Sequence, residues 1–171
     1  HLGSVIGARK LESVIRHIEG MDPDIVAITG DLVDADAGLV ERLVPQLRTL
    51  TAPLGVYAVL GNHEYYAGPE RSRALLHEAG FRVLDNTSVE EAPGLWLCGV
   101  PDDRGSRQVG TPEADLDAVA VGVVEYLVGM LLLPFFKSSF TFLVKRSPNT
   151  LFYVADRIGP KAIYTEVSYE I

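Results

Sequence analysis

The chain has 171 residues, 47% of them hydrophobic and 22% charged, with 15 basic side chains against 23 acidic ones and a formal net charge of -8. This length suits one compact domain, and the ordinary apolar fraction excludes collagen-like and wholly disordered chains. Cys98 is the only cysteine, which leaves no disulfide within the chain, and the acidic balance argues against a nucleic-acid partner, whose phosphates require a basic surface.

Alternating helices and strands are predicted over the first hundred residues. Leu11, Val14, Ile15 and Ile18 recur at helical spacing and predict a helix over Ala8–Glu19, stopped by Gly20 and Asp22-Pro23. The apolar run Ile25 to Ile28 is rich in β-branched residues and reads as a strand of a parallel sheet, ending at Gly30-Asp31. A second helix carries Leu39, Val40, Leu43, Leu47 and Leu50, kinked or split at Pro45. Val56 to Leu60 repeats the strand pattern and ends at Gly61, followed by Asn62-His63-Glu64. Two such units in succession predict a βαβ architecture. A third helix opens at Gly68-Pro69, buries Leu75, Leu76 and Ala79, and closes at Gly80 before a strand over Phe81 to Leu84. Leu95 to Val100 is a further strand, and Pro101 to Asp117 reads as a polar surface loop.

From Ala118 to Phe136 the chain is apolar except for Glu125. This approaches the roughly 20 residues of a membrane helix, so a span and a buried element both stay open. Further on, Leu151 to Val154 and Ile163 to Val167 are expected to form two strands about an Ile158-Gly159-Pro160 turn. Since the chain opens on His1, residues before it are expected to have been removed or left out.

Both convincing strands end in polar residues on glycine turns, at Gly30-Asp31-Leu32-Val33-Asp34 and at Gly61-Asn62-His63-Glu64. In open α/β sheets ligands bind beyond the carboxyl ends of the strands, where these residues stand. Asp31 offers two oxygens to bridge cations, Asn62 a neutral carbonyl oxygen, and His63 an imidazole that can donate a proton or hold a phosphate oxygen. The plainer alternative makes Asp31 a helix cap and Asn62-His63-Glu64 a turn. Each motif alone is weak, but the pair at this spacing has few plain explanations.

These residues resemble the calcineurin-like metallophosphoesterase family, and more narrowly its bacterial YkuE/YaeI-like phosphodiesterase branch. His1-Leu2-Gly3 matches the tail of the family's opening motif, Gly30-Asp31-Leu32-Val33-Asp34 its Gly-Asp-x-x-Asp motif, and Gly61-Asn62-His63-Glu64 its Gly-Asn-His-Asp/Glu motif. The resemblance implies an α/β fold of the αββα sandwich type, forming a single domain over residues 1–171. Residues 1–117 are well matched, 118–136 form the apolar segment, and 137–171 loosely resemble closing strands. It implies two divalent metal ions, manganese, iron or zinc, with His1, Asp31 and Asn62 as metal ligands. It also implies His63 and Asp34 as catalytic residues, and a metal-bound hydroxide attacking a phosphate-ester substrate, monoester or diester.

The departures from the pattern are specific. The opening motif's Asp would precede His1, and the four histidines are His1, His17, His63 and His77, so the family's later histidine ligands are missing. The second half is therefore expected to be incomplete, with weak occupancy of both metal positions and little hydrolysis by the chain as written. Two bound transition ions per chain, together with turnover of bis-p-nitrophenyl phosphate, would overturn that expectation. The alternative reading is a non-catalytic or membrane-associated relative that keeps the fold but has lost metal ligands; under either reading a cytoplasmic or membrane-associated location is expected. Tyr65 and Tyr66 either line the cleft or pack. Asp102, Asp103, Arg104 and Arg107 are expected in a solvated loop, His17 and His77 in surface or packing roles, and Cys98 as an inert buried thiol.

Overall fold

The computed structural model describes residues 2, 6–33, 37–92, 95–117, 119, 141–147 and 150–156, the last two stretches by their backbone. Helix α1 (Ala8–Glu19) buries Leu11, Ile15 and Ile18, the stripe its spacing predicts. Strand β1 (Val26–Ile28) is followed by α2 (Ala37–Glu41) and α3 (Val44–Leu47). Of the kink or split anticipated at Pro45 the structure shows the split, because proline lacks an N–H and is accommodated in the first turn of a new helix. Strand β2 (Val56–Ala58), α4 (Asn62–Tyr66), α5 (Pro69–Glu78) and β3 (Arg82–Val83) complete the first unit. β1, β2 and β3 form a parallel sheet in that order.

A second, antiparallel sheet has the order β4-β5-β7-β6, from β4 (Thr87–Ala92), β5 (Leu95–Gly99), β6 (Thr141–Ser147) and β7 (Thr150–Asp156). Two apolar clusters set the layers. Leu11, Ile15, Val40, Val44, Leu47, Leu75 and Leu76 of the helices pack with Val26, Val56 and Ala58 on one side of the parallel sheet. Tyr57 and Val59, together with Leu84, meet Leu97 of β5 on the other side. Each fully buried aliphatic side chain contributes about 1.5–3 kcal/mol of transfer free energy, so both interfaces are strongly specified. Leu97 faces the parallel sheet while its neighbour Cys98 packs with Val100 and Val119, the two-residue alternation of a strand covered on both faces.

One sequence expectation changes, one strand is new, and one expected strand gains its partner. Residues 101–117 are not simply a loop, because Asp102 caps a helix α6 (Asp103–Val109), which ends on Gly110 at φ 71. Strand β4 went unread because its segment carries Glu90 and Glu91 and its side chains are at most half-buried. Leu151 to Val154 do form a strand, within β7, but its hairpin partner is the preceding β6. The Ile158-Gly159-Pro160 turn and the Ile163 to Val167 strand fall outside the described residues, as does 118–136 except Val119. Among the described residues, no helix is long and apolar enough to cross a membrane.

Candidate metal centre

The parallel register builds the site. Val26 faces Val56 and Ile28 faces Ala58, an offset that carried forward sets Asp31 opposite Gly61. The roughly thirty-residue spacing between the two polar turns is thus the register of the sheet itself. At the carboxyl ends of β1 and β2 the turns touch: a Cβ on Gly30 would lie 2.6 Å from the Gly61 nitrogen, and one on Gly61 would overlap the Asp31 carboxylate. Gly30 at φ 96 is in the left-handed region open to glycine, and Asp31 at φ 57 is in the part of it that Asp tolerates. These two residues bend the chain at the end of β1.

Asn62 and His63 open helix α4. The His63 N–H donates to Asp31 Oδ1 at 3.1 Å, so Asp31 does act as a cap, but of a helix on the neighbouring turn and not of the next one in sequence. Glu64 locks the two turns together. Its Oε2 accepts the N–H groups of Asp31 (2.8 Å) and Gly61 (2.9 Å), and its Oε1 accepts that of Val33 (2.7 Å). The side chain is wholly buried, and burial pushes its carboxyl up to about 7 against the opposing pull of the backbone donors. No role for Glu64 followed from the motif. The available signal was a glutamate three residues after an N-cap, the spacing at which its side chain reaches back to the cap N–H.

His63 is half-buried, and its ring meets that of Tyr66 with centroids 5.9 Å apart at 50°. Tyr66 is 41% exposed and Tyr65 is buried, so only Tyr66 is placed to meet a ligand. Asp102 departs furthest from expectation. Asp103, Arg104 and Arg107 are exposed as anticipated, whereas Asp102 is fully buried. Its Oδ1 accepts the Gly105 N–H at 2.6 Å, and its Oδ2 is buried without a hydrogen-bond partner among the described residues. Sequence reasoning missed its burial because it sits in a run of charges; only its capping role had a local signal, an aspartate at the N-cap position with Gly110 at the helix end. Cys98 is buried, as anticipated, and burial pushes its thiol up to about 11.

The structure therefore brings Asp31, Asn62 and His63 together, while His1 and Asp34 lie outside the described residues. Among the described residues, no three His, Cys, Asp or Glu side chains are grouped closely enough to hold a metal by themselves. Asp31 and Asn62 fit part of such a site. Both are oxygen donors of the kind that suits divalent cations, and the orphaned Asp102 oxygen is an uncompensated buried acceptor of the kind a cation site uses. A separate shallow cavity, lined by Pro53, Leu54, Gly55, Arg82 and Glu91, opens at the opposite ends of β2 and β3 and contains none of these groups.

A family model described as calcineurin-like phosphoesterase matches residues 2–112. The chain is 45% identical over 107 residues to an "Uncharacterized metallophosphoesterase" of Aquifex aeolicus, an alignment covering 63% of this chain and 41% of that one. It is 32% identical over 124 residues to a "Transmembrane protein with metallophosphoesterase domain" of Danio rerio, covering 68% and 28%. It is 32% identical over 89 residues to the "Uncharacterized metallophosphoesterase YkuE" of Bacillus subtilis, covering 50% and 31%. The aligned region thus spans less than half the length of each relative. No solved structure matches the chain.

Proposed function

The chain belongs to the calcineurin-like phosphoesterase family, whose members generally use two divalent metal ions, and from that premise we propose that it forms the metal-binding part of a phosphoesterase acting on a phosphomonoester or phosphodiester. The observation that carries this reading is the contact of the Gly30-Asp31 and Gly61-Asn62-His63 turns at one edge of the parallel sheet, with Glu64 bonded to both. Asp31 would be shared between two ions, His1 would hold the first and Asn62 the second, with Asp34 in support. Manganese, iron or zinc fits a set that mixes imidazole and oxygen donors. When bound, a pair of divalent ions stabilises charge on the transferring phosphoryl group and lowers the pKa of water at the centre. His63 holds a phosphate oxygen and delivers a proton to the leaving group.

Asp31→Asn tests this. Asn keeps an oxygen for the His63 N–H and tolerates the left-handed conformation, so the fold survives while the charge is lost. Cation affinity is the readout, because the absence of histidine after His77 predicts little turnover by this chain. Mn2+ binding measured by calorimetry should weaken by more than the roughly 10–100-fold that outer-shell partners cost; unchanged affinity would count against the assignment.

A second reading, a membrane-associated relative without catalysis, is favoured by the likeness to the Danio rerio transmembrane protein and by the missing later histidines. Metal-independent partition of the full chain into lipid vesicles supports it over the first.

A further inference from the structure

A third element packs on the two turns at Asp31, through α4. Besides the turns after β1 and β2 there is the N-terminal end of α6, which lies directly against α4. Gly105 has no side chain to hold the helices apart, and a Cβ there would overlap the Tyr65 ring. Asp102 stands at this junction. As a helix cap it needs only one oxygen, and Oδ1 fills that role. The second oxygen is buried with no donor among the described residues, which leaves a side chain of zero exposure holding an acceptor they do not compensate. A buried acceptor of this kind costs about 1–3 kcal/mol unless something meets it.

We propose that Asp102 is a positioning residue of the cation site, its Oδ2 receiving a hydrogen bond from a water of the divalent ion that Asp31 holds. The proposal rests on the metal-site reading above. Direct ligation is not required of Asp102, in keeping with the absence of a three-residue metal cluster among the described residues. Burial raises the Asp102 carboxyl above the ordinary range and the charges of Asp31 and Asp103 add to this, while the Gly105 and Arg104 N–H groups lower it. The chain path runs the same way: α6 packs on α4, and the first turn of α4 holds Asp31 through the His63 N–H.

Asp102→Asn separates this role from capping. Asparagine caps helices as well as aspartate does, so α6 stays intact, while the charge and one acceptor oxygen are lost. Asp102→Ser, another good cap, provides a second variant. Metal-free stability should stay within about 0.5 kcal/mol of the unsubstituted chain or rise, as for a change that breaks no structural contact. The Mn2+ dissociation constant of the full chain, measured by calorimetry, should rise about 10–100-fold in both variants, the range for outer-shell partners. Unchanged Mn2+ affinity in both variants would overturn the proposal and leave the metal-site reading standing. Failure of the unsubstituted chain to bind Mn2+ would overturn both. Loss of helical structure in both metal-free variants would also overturn it, by making Asp102 a structural residue.

Discussion

Replacing Glu64 by Gln keeps the shape of the side chain and removes one of its two accepting oxygens. The amide can leave its oxygen with the Asp31 and Gly61 N–H groups, and must then point its NH2 at the N–H of Val33. Orphaning one buried donor costs about 1–3 kcal/mol. The wild-type carboxyl also titrates. Burial raises it from 4.5 to about 7, so between those values the folded state keeps a proton that the unfolded state has released. Its contribution is full below pH 4.5 and is lost as pH rises through about 7, a loss on the order of 3 kcal/mol. Gln does not titrate. The variant should therefore trail the wild type by about 1–3 kcal/mol at pH 5, and the gap should close or reverse by pH 8. Urea unfolding at both pH values, with chelator present so that no cation occupies the site, measures this. With a denaturant slope of about 2 kcal/mol/M, the pH 5 gap lowers the midpoint by about 0.5–1.5 M. A gap that widens toward pH 8 would refute the reasoning, since the three backbone donors would then outweigh desolvation and hold Glu64 ionised.

Gly61→Ala tests the contact between the turns. Its φ of -86 suits alanine, so the cost is purely the overlap of the new methyl with Asp31, about 1–3 kcal/mol. The thermal midpoint should fall by roughly 2–4 °C per kcal/mol for a domain of this size, and an unchanged midpoint would mean that the turns are not packed together. Cys98 is 5% exposed with its thiol raised to about 11. Ellman's reagent at pH 8 should leave it unreacted in the folded chain and label it fully in urea, and rapid native labelling would contradict the burial.

How much the sequence reveals depends on the range of the interaction involved. The stripe of α1 is a local property, and Leu11, Ile15 and Ile18 are buried as their spacing requires. The meeting of Asp31 with Gly61 is long-range, yet legible, because two strands each ending in glycine and a polar residue can share one sheet in register. Asp102 was not legible. Its burial depends on Gly105 letting α6 close onto Tyr65, a contact between segments 40 residues apart that no local pattern encodes. Strand β4 was hidden for a related reason: its charged, half-exposed side chains do not alternate cleanly, and its pairing with β5 supplies the order.

The three carboxylates of the site differ in what remains for them to do. Both oxygens of Glu64 are committed to backbone N–H groups in a closed environment, so it shapes the turns and has no oxygen left for an ion. Asp102 has one oxygen committed and one enclosed, which suits contact with an ion only through a water. Asp31 gives one oxygen to the His63 N–H and is half-buried, which leaves it the most accessible of the three. Burial and backbone bonding thus order the groups by function before any cation arrives. Changes at Glu64 should register in folding and its pH dependence, changes at Asp31 in cation binding with little loss of fold, and changes at Asp102 in cation binding alone but more weakly. A set of variants in which Glu64→Gln abolished Mn2+ binding at full stability, while Asp31→Asn merely unfolded the chain, would invert that order and refute the division of labour.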